Sequence, residues 1–433
     1  LNHMVRLVGS MATVIYKCKN CGGPVKYSAT LGKFNCEYCN TVYSEDEVKA
    51  LTLLSEREDV VVDAVNGDYV EYHCPSCGAN IVTDETTVAT NCYYCNNPIV
   101  MSGKLESSQM PTKVIPFRVD KKKALESFES WIKTKKFVPK SFFNDKQEIE
   151  EINGVYFPYW LYNTNVLVDI DREGSRTYTR TEGDYRVTYR KDFRIVRKGD
   201  IDVKNLPKLA LAKSNKVLVE SVYPFDFNNA INFDSSYLSG FVAEKKDIEK
   251  EALMNSIEDD VYKYSTKVVR DSMTGESVNV VNNDFTIGQG SFEYAMLPVW
   301  AISYNDRDSN KHFFFSVNGQ TGKVVGKLPI DNAKLYLSGL MAILPLFLII
   351  NVILYFTGNL QTGTFLIALV GSIIAYLLYV HKVHSDYNMT SSGVVNRGVN
   401  QIDFNNNYAE KIEYCKDIDL GTRVISRSRI ERK

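Results

Sequence analysis

The longest apolar stretch runs from Leu335 to Val380 and contains no Asp, Glu, Lys, Arg or His. It divides into Leu335–Phe356, a polar break Thr357–Thr364, and Phe365–Val380. At about 1.5 Å per residue the first run makes a helix of roughly 33 Å, enough for a hydrocarbon core of about 30 Å. The second is shorter and becomes long enough once Thr362–Thr364 joins it. Neither run carries the polar stripe of a helix in a soluble core. The pattern therefore predicts a transmembrane hairpin over 335–356 and 365–380. A buried hairpin inside a large soluble domain is the weaker reading. Lys323, Lys327 and Lys334 precede the hairpin, Lys382 with His381 and His384 follows it, and the break is uncharged. Positive charge stays in the cytosol, so both flanks and both termini are expected there, with only Thr357–Thr364 outside. Pro345 predicts a kink relieved locally, and Asn351 a hydrogen bond to a partner helix. Ser338 with Ala342, and Gly371 with Ala375, form small-residue pairs that permit close helix packing. A transport path would need ionisable groups at mid-membrane, and none is present.

Upstream of the hairpin the periodicity changes several times. Ser44 and Glu47 form a capping-box signature before a short helix with Val48, Leu51 and Leu54 on one side. Met101–Lys113 reads as a linker. Asp120 caps an amphipathic helix with Ala124, Leu125, Phe128, Trp131 and Ile132 on one face, ended by Pro139. From Gly154 the chain alternates as strands do: Val155–Ile170, then Ser175–Arg197 with Gly183–Asp184 as a hairpin turn. Lys216–Val222 is expected as a strand and Asp247–Met273 as a helix. Ser277–Asn282, Tyr294–Tyr304 and His312–Val317 are expected as strands, with Asn318–Gly322 turning into Lys323–Val325. Phe157–Trp160 and Leu297–Trp300 echo each other as Pro-x-Trp, which suggests an internal duplication of a β unit. The aromatic residues are expected in the core rather than on a base-stacking surface.

Composition changes this picture little. The 433 residues carry a formal net charge of −1, which gives no global bias towards nucleic acid, and the 12% aromatic content favours β structure. No signal peptide is visible. Leu1–Ser10 reads poorly as structure and is expected to be a cloning remnant before a natural start at Met11, so His3 is set aside.

The nine cysteines change it more. Eight fall in C-x-x-C pairs: Cys18 and Cys21 with Cys36 and Cys39, then Cys74 and Cys77 with Cys92 and Cys95, the second set repeating the first at an offset of 56 residues. Gly22 and Gly78 follow the leading pairs and suit turns that aim two thiolates at one ion. Two such turns close a tetrahedral four-thiolate site with no open position, at almost the interval of known zinc sites. Two Zn2+ per chain are expected, in structural roles. Disulfides are disfavoured in a cytosolic setting, and a thioredoxin-like site lacks its βαβ context. Iron in a rubredoxin-like site would use the same ligands and remains an alternative. Cys415 is left over as an inert thiol, and His73 is not needed as a ligand.

Other candidate chemistry is sparse. Lys17, Lys19, Lys26 and Lys33 lie among Tyr16, Tyr27, Phe34 and Tyr38, the basic and aromatic mixture that binds single strands. The second cysteine set carries Glu71, Asp84 and Glu85 instead, and each four-thiolate zinc site adds negative charge, so nucleic acid is not the expected partner. Gly319–Lys323 superficially suggests a phosphate loop but has two residues between its glycines where four are required, and Val324 where a hydroxyl is required; a turn is the better reading. With five histidines in the chain, no catalytic set assembles and no enzyme is expected. After the hairpin, Lys382–Lys433 is polar, Asn-rich at Asn405–Asn407, and ends basic with Arg423, Arg427, Arg429, Arg432 and Lys433. That end is expected to meet anionic lipid or the acidic second cysteine set.

The whole pattern resembles a bacterial family of membrane-anchored double zinc-ribbon proteins, the YdjG-like proteins of Gram-positive bacteria. They are often labelled as related to the primosomal replication-restart helicase for their cysteine knuckles. The four C-x-x-C pairs, Ile115–Phe117, Gly154–Trp160 (GVYFPYW), Leu297–Trp300, Val317–Gly326 (VNGQTGKVVG) and the hairpin carry the resemblance, over most of Met11–Val380. The helicase label does not transfer, because no motor motif is present. The resemblance implies a multi-pass protein of the bacterial inner membrane, working beside SPFH-type or phage-shock-type membrane-stress proteins.

The expected architecture is multi-domain: two small four-cysteine zinc ribbons, an α+β mainly antiparallel β domain, and an α-helical transmembrane hairpin. Its expected segments are zinc ribbon 1 (11–43), a helical connector (44–69), zinc ribbon 2 (70–100), a linker (101–113), the α+β domain (114–330), the hairpin and a cytosolic tail (381–433). The expected function is a non-enzymatic scaffold that recruits protein partners to the inner membrane face, with homo-oligomerisation compatible. A membrane-tethered nucleic-acid binder using Lys17, Lys19, Lys26 and Lys33 is the alternative.

Overall fold

The structure, a computed structural model, describes residues 14–52, 69–74, 76–77, 80–92, 95–101, 104–105, 110–139, 142, 149–214, 216–273, 277–306, 311–358, 361–387 and 410–429. The first cysteine set folds as an antiparallel sheet of β1 (Val25–Ser28), β2 (Lys33–Cys36) and β3 (Val42–Tyr43). Ser44 and Glu47 close the capping box, with Ser44 N to Glu47 Oε2 at 2.7 Å and Glu47 N to Ser44 Oγ at 3.4 Å. The helix that follows, α1 (Glu45–Thr52), buries Val48 and Leu51; Leu54 lies outside the described residues. The second set gives β4 (Tyr69–His73) paired with β5 (Asn80–Asp84), then the hairpin of β6 (Thr87–Asn91) and β7 (Pro98–Val100). That second hairpin belongs to the main sheet.

The main body continues with β8 (Lys113–Val114), α2 (Lys121–Lys133), β9 (Ile149–Glu182) and β10 (Tyr185–Leu209). Asp120 caps α2 by accepting from the Lys123 amide at 2.8 Å, and Ala124 and Phe128 are the buried face. Gly183 takes the positive φ (+58°) that a two-residue hairpin turn with glycine first requires. Next come α3 (Lys216–Glu220), β11 (Ile231–Asn232), β12 (Val242–Glu244), α4 (Met254–Asp271), β13 (Phe285–Ile287), β14 (Ser291–Asp306), β15 (Lys311–Asn318) and β16 (Val324–Gly326). Two expectations fail. Lys216–Val222 contains a short helix instead of a strand, because Val219 and Val222 fill an apolar cluster with Leu209, Tyr223 and Phe225 rather than a sheet position. Ser277–Asn282 makes no strand, because the Asp284 carboxylate accepts from the Val281 amide and turns the segment into a 3-10 helix over Asn282–Asp284.

β9 is the spine of the main sheet, in the order β11-β8-β14-β9-β12-β6-β7, and it also pairs with β10 and β13. The two Pro-x-Trp motifs face each other on it, with Phe157 opposite Leu297 in the antiparallel β9–β14 pair. The relationship extends outwards. β8 adds parallel to β14, and β12 adds parallel to β9. Trp160 Nε1 donates to the Ile248 carbonyl (2.9 Å), shortly before α4, and Trp300 Nε1 donates to the Val119 carbonyl (2.8 Å), just before α2. Each strand–helix–strand unit thus exchanges its first strand and its tryptophan bond with the other. Asn318–Gly322 is a turn: Asn318 Oδ1 accepts from the amides of Gln320 and Thr321 (2.8 and 2.9 Å), and Lys323 Nζ donates to the Tyr223 carbonyl.

The apolar stretch forms α5 (Asn332–Phe356) and α6 (Thr362–Tyr387), which pack against each other. Both are long and apolar enough to cross a membrane, and only 6% and 0% of their most apolar windows is buried. Gly339 sits at their seam, where an added Cβ would lie 2.8 Å from the Tyr376 ring. Asn351 does not reach across: its Nδ2 donates to the Phe347 carbonyl of its own helix at 2.8 Å. Gly371 faces open space. The tail also departs from expectation. Glu410–Arg429 is a strand, β17, antiparallel to β10, where Arg197 Nη1 meets Asp417 Oδ1 at 2.8 Å. Its arginines therefore line a protein strand instead of meeting the second cysteine set. Asn405–Asn407, Arg432 and Lys433 lie outside the described residues.

Candidate metal centres

Tight turns assemble the cysteine quartets: two are seen in the first and, among the described residues, one in the second. In the first, the Gly22 amide donates to the Cys18 carbonyl (2.9 Å) and the Asn40 amide to the Cys36 carbonyl (2.8 Å). In the second, the Asn96 amide donates to the Cys92 carbonyl (2.8 Å). Gly22, Asn40 and Asn96 take positive φ of 72°, 57° and 56°, which Gly and Asn adopt most readily. The asparagine after the last cysteine recurs in both sets, a signal the cysteine spacing alone did not reveal. Gly78 lies outside the described residues, as does the His73 side chain.

The turns bring Cys18, Cys21, Cys36 and Cys39 together, and likewise Cys74, Cys77, Cys92 and Cys95, each set of sulfurs lying within 4.8 Å of one another. Sγ separations are 3.5 Å for Cys18–Cys39 and for Cys21–Cys36, 3.7 Å for Cys74–Cys95 and 3.8 Å for Cys77–Cys92. A tetrahedron with metal–sulfur bonds of about 2.3 Å has edges of about 3.8 Å, so both quartets fit one ion each. The first cysteine of every pair is buried; the second is exposed, or half-buried at Cys95. Four thiolates complete the tetrahedron, so an ion held there has no coordination position left for substrate.

The surroundings of the two sites differ. At the first, the Lys19 amide donates to Tyr43 Oη (3.1 Å), which leaves the hydroxyl hydrogen for Cys18 Sγ at 2.9 Å. Asn20 Nδ2 donates to Thr41 Oγ1 (2.9 Å), whose hydroxyl lies 3.1 Å from Cys39 Sγ. Burial raises the Cys18 thiol, but the Tyr43 hydroxyl and the amides of Cys21 and Asn20 outweigh it and bring it down to about 6. At the second site Ile99 stands where the offset repeat would put Tyr43, and it packs with Ile15 and Cys74. Burial pushes the Cys74 thiol up to about 12.

Both ribbons are fastened to the body. Tyr27 and Phe34 form a ring cluster with Tyr237 at centroid distances of 5.2–5.3 Å, and Ser239 Oγ donates to the Val25 carbonyl at 2.8 Å. Val14 and Val100 exchange backbone bonds of 2.7 and 3.1 Å, joining one ribbon to the other. Beside the second ribbon, Lys213 bridges Asp84 (2.6 Å) and Glu244 (2.8 Å). The same packing disperses the suggested nucleic-acid surface. Tyr16, Tyr27 and Phe34 are buried, and Lys26 pairs with Glu37 at 2.9 Å while its stem lies along Gly240. Lys17, Lys19, Lys33 and Tyr38 remain exposed without those rings beside them.

No family profile and no solved structure matches the chain. It is 30% identical over 322 residues to the uncharacterized protein YdjG of Bacillus subtilis (strain 168), an alignment that covers 74% of this chain and 92% of the relative.

Proposed function

The chain belongs to the family of Bacillus subtilis YdjG, and from that premise we propose that it is a membrane-anchored scaffold that recruits protein partners to the cytosolic face of a bacterial cell membrane. The observation that carries this reading is the fastening of two closed four-thiolate sites to a body that also grips an exposed apolar helix pair. Closed tetrathiolate sites stabilise folds by about 10–16 kcal/mol of apparent binding energy; here they would stiffen a surface. The ions they hold are Zn2+, two per chain, in keeping with cytosolic thiolate sites. The α5–α6 hairpin, with its exposed apolar faces, would lie in lipid and keep the body at the membrane. SPFH-type or phage-shock-type membrane-stress proteins are the partners the family resemblance favours, and no catalytic step is assigned. Against the nucleic-acid alternative stands the burial of Tyr16, Tyr27 and Phe34, which leaves Tyr38 alone of the four rings for single strands to stack on.

The test is purification of the tagged full chain from native membranes, with quantitative mass spectrometry of what accompanies it. A defined set of membrane proteins should co-purify and lose its membrane localisation when the chain is deleted from the cell. Recovery of nucleic acid in stoichiometric amounts, without protein partners, would overturn the scaffold reading.

A further inference from the structure

β9, β10 and β17 continue beyond the body as a three-stranded ribbon. On this ribbon the Phe193 ring lies against Gly174, beside Val278 of the body. Directly opposite residues on neighbouring strands share a face. Beyond Phe193 that face carries Lys191 opposite Arg176, then Val187 between Arg180 and Arg427, then Tyr185 between Glu182 and Arg429. Arg176, Arg180, Arg427 and Arg429 are exposed, while Val187 among them is buried, 2% exposed. The Arg427 guanidinium lies 4.3 Å from the centre of the Tyr185 ring. β17 lines one edge of this tip and, among the described residues, pairs only with β10.

We propose that this ribbon tip is a docking surface for an acidic segment of a protein partner, which rests on the scaffold reading and gives it a recognition site. Charge complementarity selects an anionic occupant. The details favour carboxylates over a phosphate chain. Tyr178 and Tyr189 stack on each other at 5.4 Å, and the Arg427 guanidinium lies over Tyr185, so one face of each ring is already occupied. Carboxylates also interrupt the arginines: Glu182 accepts from the Tyr189 hydroxyl, and Asp419 lies 3.5 Å from Lys191. Discrete side-chain carboxylates fit between them; a continuous polyphosphate meets them head-on. The protein's own bilayer is the less suitable occupant. Ile152, near the start of β9, packs in the same core cluster as Leu335 and Tyr387 of the apolar helices, and from there β9 runs roughly 100 Å of strand to Glu182 at about 3.3 Å per residue.

The test uses the full chain in nanodiscs, with three probes: fluorescein-labelled poly-L-glutamate, a single-stranded DNA oligonucleotide and phosphatidylglycerol vesicles. Poly-glutamate should bind in a salt-sensitive manner. Binding should fall about tenfold or more when Arg176→Glu, Arg180→Glu, Arg427→Glu and Arg429→Glu are combined. The milder Gln set should give a smaller loss with metal content unchanged, which keeps the test valid if the Glu set misfolds. Unchanged poly-glutamate binding in both sets overturns the proposal, as does tighter binding of DNA or vesicles that disappears with the same substitutions. Native partners that co-purify equally with wild type and variant overturn the tip alone and leave the scaffold standing. No partner with either chain overturns both.

Discussion

The backbone of Phe137 is tied to Tyr387: its amide donates to Tyr387 Oη at 2.8 Å, and their rings lie 6.2 Å apart. The Phe137 carbonyl in turn accepts from the amide of Asp331, the N-cap of α5, at 2.7 Å. One residue of the body therefore grips the end of α6 and the start of α5. Tyr387→Phe should leave the buried Phe137 amide unpaired at a cost of about 1–3 kcal/mol. Hydrogen exchange of the protein in nanodiscs should show faster exchange around Phe137, while exposed Tyr355→Phe changes nothing. Unaltered protection at Phe137 would rule out this grip.

The metal sites make separable predictions. Elemental analysis should give two zinc ions per chain, and Cys36→Ser should leave one, since each quartet closes on its own cysteines. Two irons with a visible charge-transfer band would contradict the zinc assignment. Tyr43→Phe removes the hydroxyl that donates to Cys18. Partners behind a ligand typically matter by about 10–100-fold in affinity, so a chelator should strip one ion at least about tenfold faster and leave the slower phase, from the Ile99-backed site, unchanged.

Lys104 supplies a pH dependence. Its ammonium is buried and donates to the Asp84 and Thr87 carbonyls at 2.7 and 2.9 Å. Burial, with help from Lys245, holds it down to about 8 against the pull of Asp84 and Glu244. An unfolded chain titrates its lysines near 10.4, so between about pH 8 and pH 10.4 the unfolded state binds more protons and stability rises with pH. The melting temperature of wild type relative to Lys104→Met should therefore climb across that window and stay flat below it. A difference independent of pH would exclude the titration.

What could be read from the sequence was local. The capping box at Ser44 and Glu47, the Asp120 cap, the turn at Gly183 and the cysteine turns each depend on residues a few positions apart. Tyr43 was not legible as a donor to Cys18, because neither periodicity nor spacing distinguishes it from a buried strand residue. The failed strand at Lys216–Val222 had suitable β-branched residues, but tertiary packing decided its shape. The crossed pairings of β8 with β14 and β12 with β9, and of β17 with β10, join distant segments, so no window of sequence contains them. The echo of the two Pro-x-Trp motifs suggested a duplicated β unit, but neither the pairing of its two strands nor their exchange of partners was legible from it.

The grip on Phe137 also constrains topology. Asp331 and Tyr387 both attach to the same stretch of the body, so α5 must leave and α6 must return on one side. Lys327 and Lys334 before α5 and Lys382 near the end of α6 add positive flanks, which the charge rule expects on the cytosolic side. The turn between the helices, around Gly358 with its φ of +69°, carries no charge. In a chain with Cys415→Ser, a membrane-impermeant maleimide should label Thr357→Cys in intact cells and Lys382→Cys only after permeabilisation. Labelling of both Thr357→Cys and Lys382→Cys in intact cells would require a single crossing, which would pull Tyr387 away from Phe137. The Tyr387→Phe variant separates the remaining cases. If the hairpin forms through its own apolar length, labelling of both sites should be unchanged even as protection at Phe137 falls; if the grip is what returns α6, the Lys382 site should become accessible from outside. The two long apolar helices favour the first outcome, because transfer of their side chains into lipid far exceeds the about 1–3 kcal/mol of one hydrogen bond.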